Sequence, residues 1–148
     1  MSDHSALDID PMSDGDVPAV IALWERCDLT RPWNDPASDI ALARRGPASD
    51  VLVGRRRGAV IASVLVGHDG HRGWFYYVAV DPDARKEGIG RAIMAAAERW
   101  LTGRGIAKAQ LMVRPGNSAV RAFYEALGYG EQPRVVFAKW LDGREPTP

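Results

Sequence analysis

The stretch Val78-Ala79-Val80-Asp81-Pro82-Asp83-Ala84-Arg85-Lys86-Glu87-Gly88-Ile89-Gly90-Arg91-Ala92 decides the reading of the chain. Its first residues close an apolar run that stops at a proline. The backbone then crosses an arginine and two glycines and enters a segment whose apolar positions Ile89, Ile93, Ala96 and Trp100 recur at helical spacing. Strand, tight loop and helix therefore follow one another. Gly88 and Gly90 have no side chain to block close approach, so the unpaired N–H groups of the first helical turn and the positive end of its dipole form a cradle for an anion, a pyrophosphate above all. A glycine-rich strand-to-helix turn is also the plain way to make a tight connection, so context has to decide. Two other phosphate loops fit poorly: there is no Gly-Lys-Ser/Thr, and the motif lies beyond the midpoint of the chain instead of after its first strand.

Just before the cradle, residues 74–80 are apolar or aromatic throughout, which predicts a strand covered on both faces at the centre of a sheet. Upstream, 51–56 and 59–68 read as a hairpin turning at Arg57-Gly58, and Asp69-Gly70-His71-Arg72-Gly73 as a second turn. A short strand near 7–11 precedes Ser13 and Asp16, spaced as a capping box, and a helix whose face is Val17, Val20, Ile21 and Trp24, ending near Cys27 or Asp28. Residues 29–35 read as loop. Asp35-Pro36 caps and starts a second helix over 36–45, stopped by Gly46-Pro47. Downstream, the cradle's helix ends near Gly103, 108–113 is a strand, Asn117 caps a helix to Ala126 that Gly128 closes, and 134–141 is a final strand. Residues 1–5 and the tail after Asp142 are polar and expected to be loose. The order of elements gives an α/β domain with a mixed sheet.

Arg85-x-x-Gly88-x-Gly90 resembles the Arg/Gln-x-x-Gly-x-Gly/Ala signature of the GNAT acetyltransferases. Further on, Asn117-Ser118-Ala119-Val120-Arg121-Ala122-Phe123-Tyr124-Glu125-Ala126-Leu127-Gly128-Tyr129 is similar to the family's second signature, Asn-x-x-Ala/Val-x-x-x-Tyr-x-x-x-Gly-Phe/Tyr. The likeness runs from Ala6 to Trp140, and the segment 23–36 with Asp69-Gly70-His71-Arg72-Gly73 resembles the bacterial YpeA-like branch. One position departs: Lys86 stands where many members carry glycine. The resemblance implies one GNAT-type domain over 1–148, with its core at about 6–141. It implies a mixed, largely antiparallel sheet flanked by about four helices, whose two central strands splay into a V for the pantetheine arm of acetyl-CoA. It also implies an N-acetyltransferase that passes the acetyl group directly to a primary amine of a small molecule or a protein. A non-catalytic acyl-CoA-binding module is the alternative.

On that likeness, Arg85, Lys86, Glu87, Gly88, Ile89, Gly90 and Arg91 hold the pyrophosphate, and backbone N–H groups around Val78, Ala79 and Val80 polarise the thioester carbonyl. Tyr124 protonates the departing thiolate. A phenol of reference pKa about 10 can do so for a thiol of about 8.5 at modest cost. Tyr124 follows Asn117 by about two helical turns, so both share one face of their helix toward the cofactor, whereas a plain core tyrosine would bond only water. The position where some members place a glutamate base is Tyr76, which is no base at neutral pH. Glu25, Asp28, Asp35 and His71 are candidates acting through water, each equally readable as a solvated or turn residue. Acceptor recognition is expected in the loop carrying Asp28, Trp33, Asn34 and Asp35, facing the turn at His71 and Arg72. The alternative is that Trp33 plugs the core and Asp35 only caps the second helix.

With 19 basic and 19 acidic residues among 148, the formal charge is zero, which leaves no electrostatic footprint for nucleic acid or an anionic membrane. The single cysteine, Cys27, makes no internal disulfide, and with no signal peptide or membrane-length apolar run in the sequence, the reducing cytoplasm is the expected compartment. His68 and His71 lack a third ligand for zinc, so no metal is expected. Arg55-Arg56-Arg57 reads as a solvated hairpin tip, and homodimerisation is left open.

Overall fold

Four antiparallel strands and a short parallel fifth form one sheet in the order β1-β2-β3-β4-β5 in the computed structural model, which describes residues 6–147. The strands are β1 (Asp8–Pro11), β2 (Ser49–Arg56), β3 (Ala59–His68), β4 (Gly73–Val80) and β5 (Ala109–Gln110). Helices α1 (Val17–Arg26) and α2 (Pro36–Ala43) connect β1 to β2, α3 (Ile89–Thr102) connects β4 to β5, and α4 (Ser118–Ala126) follows. The described residues divide into two compact units, one up to Leu111 and one from Met112. The expectation for residues 1–5 lies outside the described residues. No helix among the described residues is long and apolar enough to cross a membrane.

In the first unit the alternation of β2 sorts the core. Val51 and Val53 join Met12, Val20, Leu23, Trp24, Ile40, Ala43 and Ala79 under α1 and α2. Leu52, Val64 and Val66 are buried at the intervening positions, and Ile89, Ile93, Met94, Ala97 and Leu101 form the buried stripe of α3. Burying each of these large aliphatic side chains contributes about 1.5–3 kcal/mol. Gly73 is required where α3 crosses β4, because a Cβ there would lie 2.4 Å from Leu101 Cδ1.

The β3–β4 ladder contains one extra residue. Leu65 pairs with Tyr76, but Ser63 pairs with Ala79, so β4 bulges between them. Tyr77 takes up the excess at φ 52°, a left-handed conformation that costs a non-glycine residue on the order of 1–3 kcal/mol. Three contacts hold it. Its ring stacks on that of Trp24, 3.7 Å between centroids and 4° from parallel. The fully buried Ser63 hydroxyl donates to the Tyr77 carbonyl (2.9 Å) and accepts from Trp24 Nε1 (2.8 Å). The Tyr77 hydroxyl donates to Asp39 Oδ2 at 2.7 Å.

Three sequence expectations change. β4 is not covered on both faces: its pairing with Leu65 directs Tyr76 toward the side of α1 and α2, yet Tyr76 remains 43 % exposed, because the bulge shifts the period-2 pattern that a continuous apolar run conceals. The strand expected over 108–113 shrinks to Ala109–Gln110, whose ladder meets β4 only at Gly73 and Trp74, so the pairing ends where the strands were expected to splay. The final strand over 134–141 does not form. Val135, Phe137 and Leu141 are largely exposed, and an apolar run without a hydrogen-bonded neighbour is not a strand.

Replacing Ser63 with alanine leaves two buried polar groups, the Trp24 indole N–H and the Tyr77 carbonyl, short of a partner. Ser63→Ala is expected to lower the unfolding free energy by about 1–3 kcal/mol in urea titrations; an unchanged midpoint would show that the bulge holds without this link.

Candidate functional site

The loop after β4 is pinned at its root. Asp81 accepts the backbone N–H of Asp83 at 2.9 Å and is paired with Arg26 at the end of α1, which holds its carboxyl below the usual carboxylate range. The Arg85 guanidinium reaches back to the Val80 carbonyl at 3.4 Å, and the Cys27 thiol donates to the same oxygen at 3.2 Å. The chain then makes two left-handed turns, Lys86 at φ 67° and Gly88 at φ 78°. Lys86 thus adopts the conformation that glycine would take without strain. Gly88 is the N-cap of α3 and brings no side-chain acceptor, while its carbonyl takes the N–H of Ala92 at 3.1 Å. An uncapped helix N-terminus offers outward N–H groups and positive potential, which suits an anion.

Glu87 would oppose such a guest, and the structure meets this with a residue the sequence reading passed over. Arg56 is not a solvated tip: its side chain is 14 % exposed and its guanidinium bonds Glu87 Oε1 at 3.0 Å. Its Nε has no partner among the described residues. Arg55, likewise, is engaged by Asp16, with one bond of 2.7 Å. Three consecutive arginines at a hairpin look like surface charge, which Arg57 is, and only the placement of Asp16 and Glu87 shows otherwise for Arg55 and Arg56.

The residues expected on the acceptor side lie in two turns, one between α1 and α2 and one just before β4. Asp28 is left-handed at φ 56°, its carboxylate is almost wholly exposed, and Arg31 bonds its carbonyl at 2.9 Å. Asp35 caps α2, accepting from Ala37 and Ser38 N–H and from the Ser38 hydroxyl at 2.9 Å, as its place before Pro36 predicts. Trp33 is half-buried in the turn, and the Asn34 N–H donates to the Arg31 carbonyl at 3.1 Å. His71 and Arg72 belong to a turn built on Asp69, whose Oδ1 accepts both their N–H groups (2.9 and 2.8 Å). That turn closes the Gly73 end of β4, and the 28–35 loop connects α1 to α2, whose Asp39 bonds the Tyr77 hydroxyl in mid-strand. The carboxylate that does reach the bulge is Asp39, a residue with no sequence signal beyond its place in the first turn of α2.

In the second unit, Asn117 Oδ1 caps α4 by accepting the Val120 N–H at 3.3 Å, and Gly128 at φ 95° ends the helix as Tyr129 N–H bonds the Tyr124 carbonyl at 3.0 Å. The Tyr124 ring meets Phe123 and Tyr129 edge-on, with centroids 5.0 and 6.0 Å away. Burial pushes its phenol up to about 12, so it stays protonated through the neutral range.

Comparison with known proteins fits this picture. The acetyltransferase (GNAT) family model matches residues 19–129. An acetyltransferase of Pectobacterium atrosepticum is 46 % identical over 85 % of this chain and 89 % of its own length, and one of Yersinia enterocolitica 42 % identical over 91 % and 96 %. Among solved structures, the ribosomal-protein-S18-alanine N-acetyltransferase of Escherichia coli superposes with a TM-score of 0.75 at 28 % identity, over 94 % of this chain and 88 % of that one. AAC(6')-Iy bound to the bisubstrate analogue CoA-S-monomethyl-acetylneamine superposes at 0.79 and 20 % identity, over 92 % and 99 %, a likeness of fold. The chain belongs to the GNAT acetyltransferase family and is an acetyl-CoA-dependent N-acetyltransferase.

Because Lys86 carries left-handed strain of about 1 kcal/mol, Lys86→Gly should leave the thermal midpoint unchanged or raised, while the β-branched Lys86→Val should lower it. Equal midpoints for the glycine and valine variants would refute the strain.

Proposed function

We propose that this enzyme transfers the acetyl group of acetyl-CoA directly to a primary amine of a small molecule or peptide, with both substrates bound at once. The observation that carries the reading is the uncapped start of α3 behind two left-handed residues, a place for a pyrophosphate on the amides from Arg85 to Arg91. Among the fold's neighbours, AAC(6')-Iy is bound to an acetylneamine analogue and the Escherichia coli enzyme is named for a ribosomal-protein alanine. Amines of both sizes therefore stay within the acceptor class. The cytoplasm, where acetyl-CoA is held, is the proposed compartment, and the acceptor is proposed to be neither nucleic acid nor lipid.

In the proposed reaction, the neutral amine attacks the thioester carbonyl, the carbonyl oxygen gains charge beside backbone N–H groups near Val78 to Val80, the carbon–sulfur bond breaks, the thiolate takes the Tyr124 proton, and the proton shed by the acetylated nitrogen returns through water to the Tyr124 oxygen. The assignment of Tyr124 rests on its signature with Asn117 and Gly128. A phenol pushed up to about 12 is a weaker acid than one in water, so the proton transfer is uphill and depends on the hydroxyl being positioned at the departing sulfur.

Tyr124→Phe is expected to lower turnover by about one to three orders of magnitude while acetyl-CoA affinity holds; unchanged turnover with a good acceptor would reduce Tyr124 to packing. Gly90→Asp should abolish acetyl-CoA binding in calorimetry, and wild-type binding would disprove the cradle. Arg56→Gln should weaken acetyl-CoA by about two- to tenfold by freeing Glu87 beside the phosphates, with Arg56→Gln/Glu87→Gln recovering most of the loss. A double variant no better than the single would show that Arg56 does not act through Glu87.

A further inference from the structure

The Asp39 carboxylate has more binding capacity than its fold role uses. It lies in the first turn of α2, where a negative charge suits the helix dipole, but Asp35 already caps that helix, and the Asp39 side chain is turned onto β4 instead. There one oxygen, Oδ2, accepts the Tyr77 hydroxyl at 2.7 Å. Among the described residues no arginine, lysine or histidine forms an ion pair with it. Its side-chain partner is a neutral hydroxyl, which leaves the negative charge available to an arriving cation. Its surroundings are fixed: Tyr77 is clamped by the Trp24 stack and by the Ser63 bond to its carbonyl, so the carboxylate is presented from a rigid base. It is also held beside the bulge itself, on the face toward which the half-exposed Tyr76 points.

We propose that Asp39, steadied by the Tyr77 hydroxyl, is the carboxylate that recognises the cationic amine of the acceptor, with Oδ1 as the binding atom, and that Tyr77 is its positioning residue. This rests on the amine-acetylating reading above and names the residue of that site which selects a charged acceptor. It also changes where acceptor charge is read: not at the exposed Asp28 or the cap Asp35, but one helical turn further on. The recognised class is an amine whose second ammonium, on the same molecule as the reacting nitrogen, comes within hydrogen-bond reach of Oδ1, since the attacking nitrogen itself has to be neutral. An uncharged acceptor of the same shape gains nothing from it.

Asp39→Asn tests this, because the amide oxygen can still accept the Tyr77 hydroxyl while the charge is gone. Acetyl-CoA-dependent release of thiol is measured across a panel of mono-, di- and polyamines, aminoglycosides and peptides with free amino termini, alongside thermal midpoint and acetyl-CoA affinity. The expected result is a KM for the best cationic acceptor raised about tenfold or more, as for a lost charge-assisted hydrogen bond, with midpoint and acetyl-CoA affinity as in the wild type. Tyr77→Phe should raise the same KM to a smaller extent. If Asp39→Asn keeps the wild-type KM for the accepted amines, or if it loses stability and acetyl-CoA affinity as well, Asp39 is structural and the inference is overturned while the acetyltransferase reading stands. If the wild-type protein binds acetyl-CoA but acetylates no amine of the panel, the reading and the inference fall together.

Discussion

A left-handed residue in the middle of a strand does not hold itself, and much of this fold is arranged to hold Tyr77. The strain there, on the order of 1–3 kcal/mol, is comparable to what one buried hydrogen bond or one aromatic stack returns, so a single contact would leave the bulge balanced against a regular strand. Three contacts from three elements decide the matter: a ring from α1, a hydroxyl from β3 and a carboxylate from α2. The bulge in turn sets which side chains of β4 face the helices and which backbone groups follow toward Val80. α1 and α2 are therefore more than a cover for the sheet, since they fix the local geometry of the strand that leads into the loop before α3.

Zero net charge conceals a specific distribution of ion pairs. Arg26 with Asp81, Arg55 with Asp16 and Arg56 with Glu87 each join segments far apart in sequence, and two of the three touch the loop between β4 and α3. Partly exposed pairs of this kind contribute little to global stability. Their value is positional: Asp81 and Glu87, in the loop before α3, are each engaged by a guanidinium group, which lessens the negative charge near the helix terminus.

Much of the layout was legible in sequence because its signals are local. Proline and glycine punctuation, the Asp35 and Asn117 caps and the apolar spacing of α3 placed most elements to within a few residues, although the buried face of α3 runs from Ile89 and Ile93 through Ala97 and Leu101 and not through Ala96 and Trp100. What failed depends on partners distant in the chain. The run from Trp74 to Val80 has no feature that marks an inserted residue at Tyr77, since tyrosine is an ordinary strand residue. Arg56 and Asp39 were missed for the same reason: each looks like a surface charge on its own element, and only the register between β2, β3 and β4 and the placement of α2 bring out Glu87 and Tyr77 as their partners. The strand expected at 134–141 shows the converse error, since apolar β-branched residues state a preference that pairing alone can realise.

The close approach at Gly73 makes α3 a lever. Leu101 rests directly on the β4 backbone, with no room for even a methyl group between them, so that end of the helix has a fulcrum. Ile89, at the other end, stands about 18 Å away along the helix axis. A tilt of about 5° about Leu101 displaces the first-turn amides by about 1.6 Å, and misplacements of that size are enough to spoil reactive geometry. The missing side chain at Gly73 thereby sets how closely that end of the helix seats on β4.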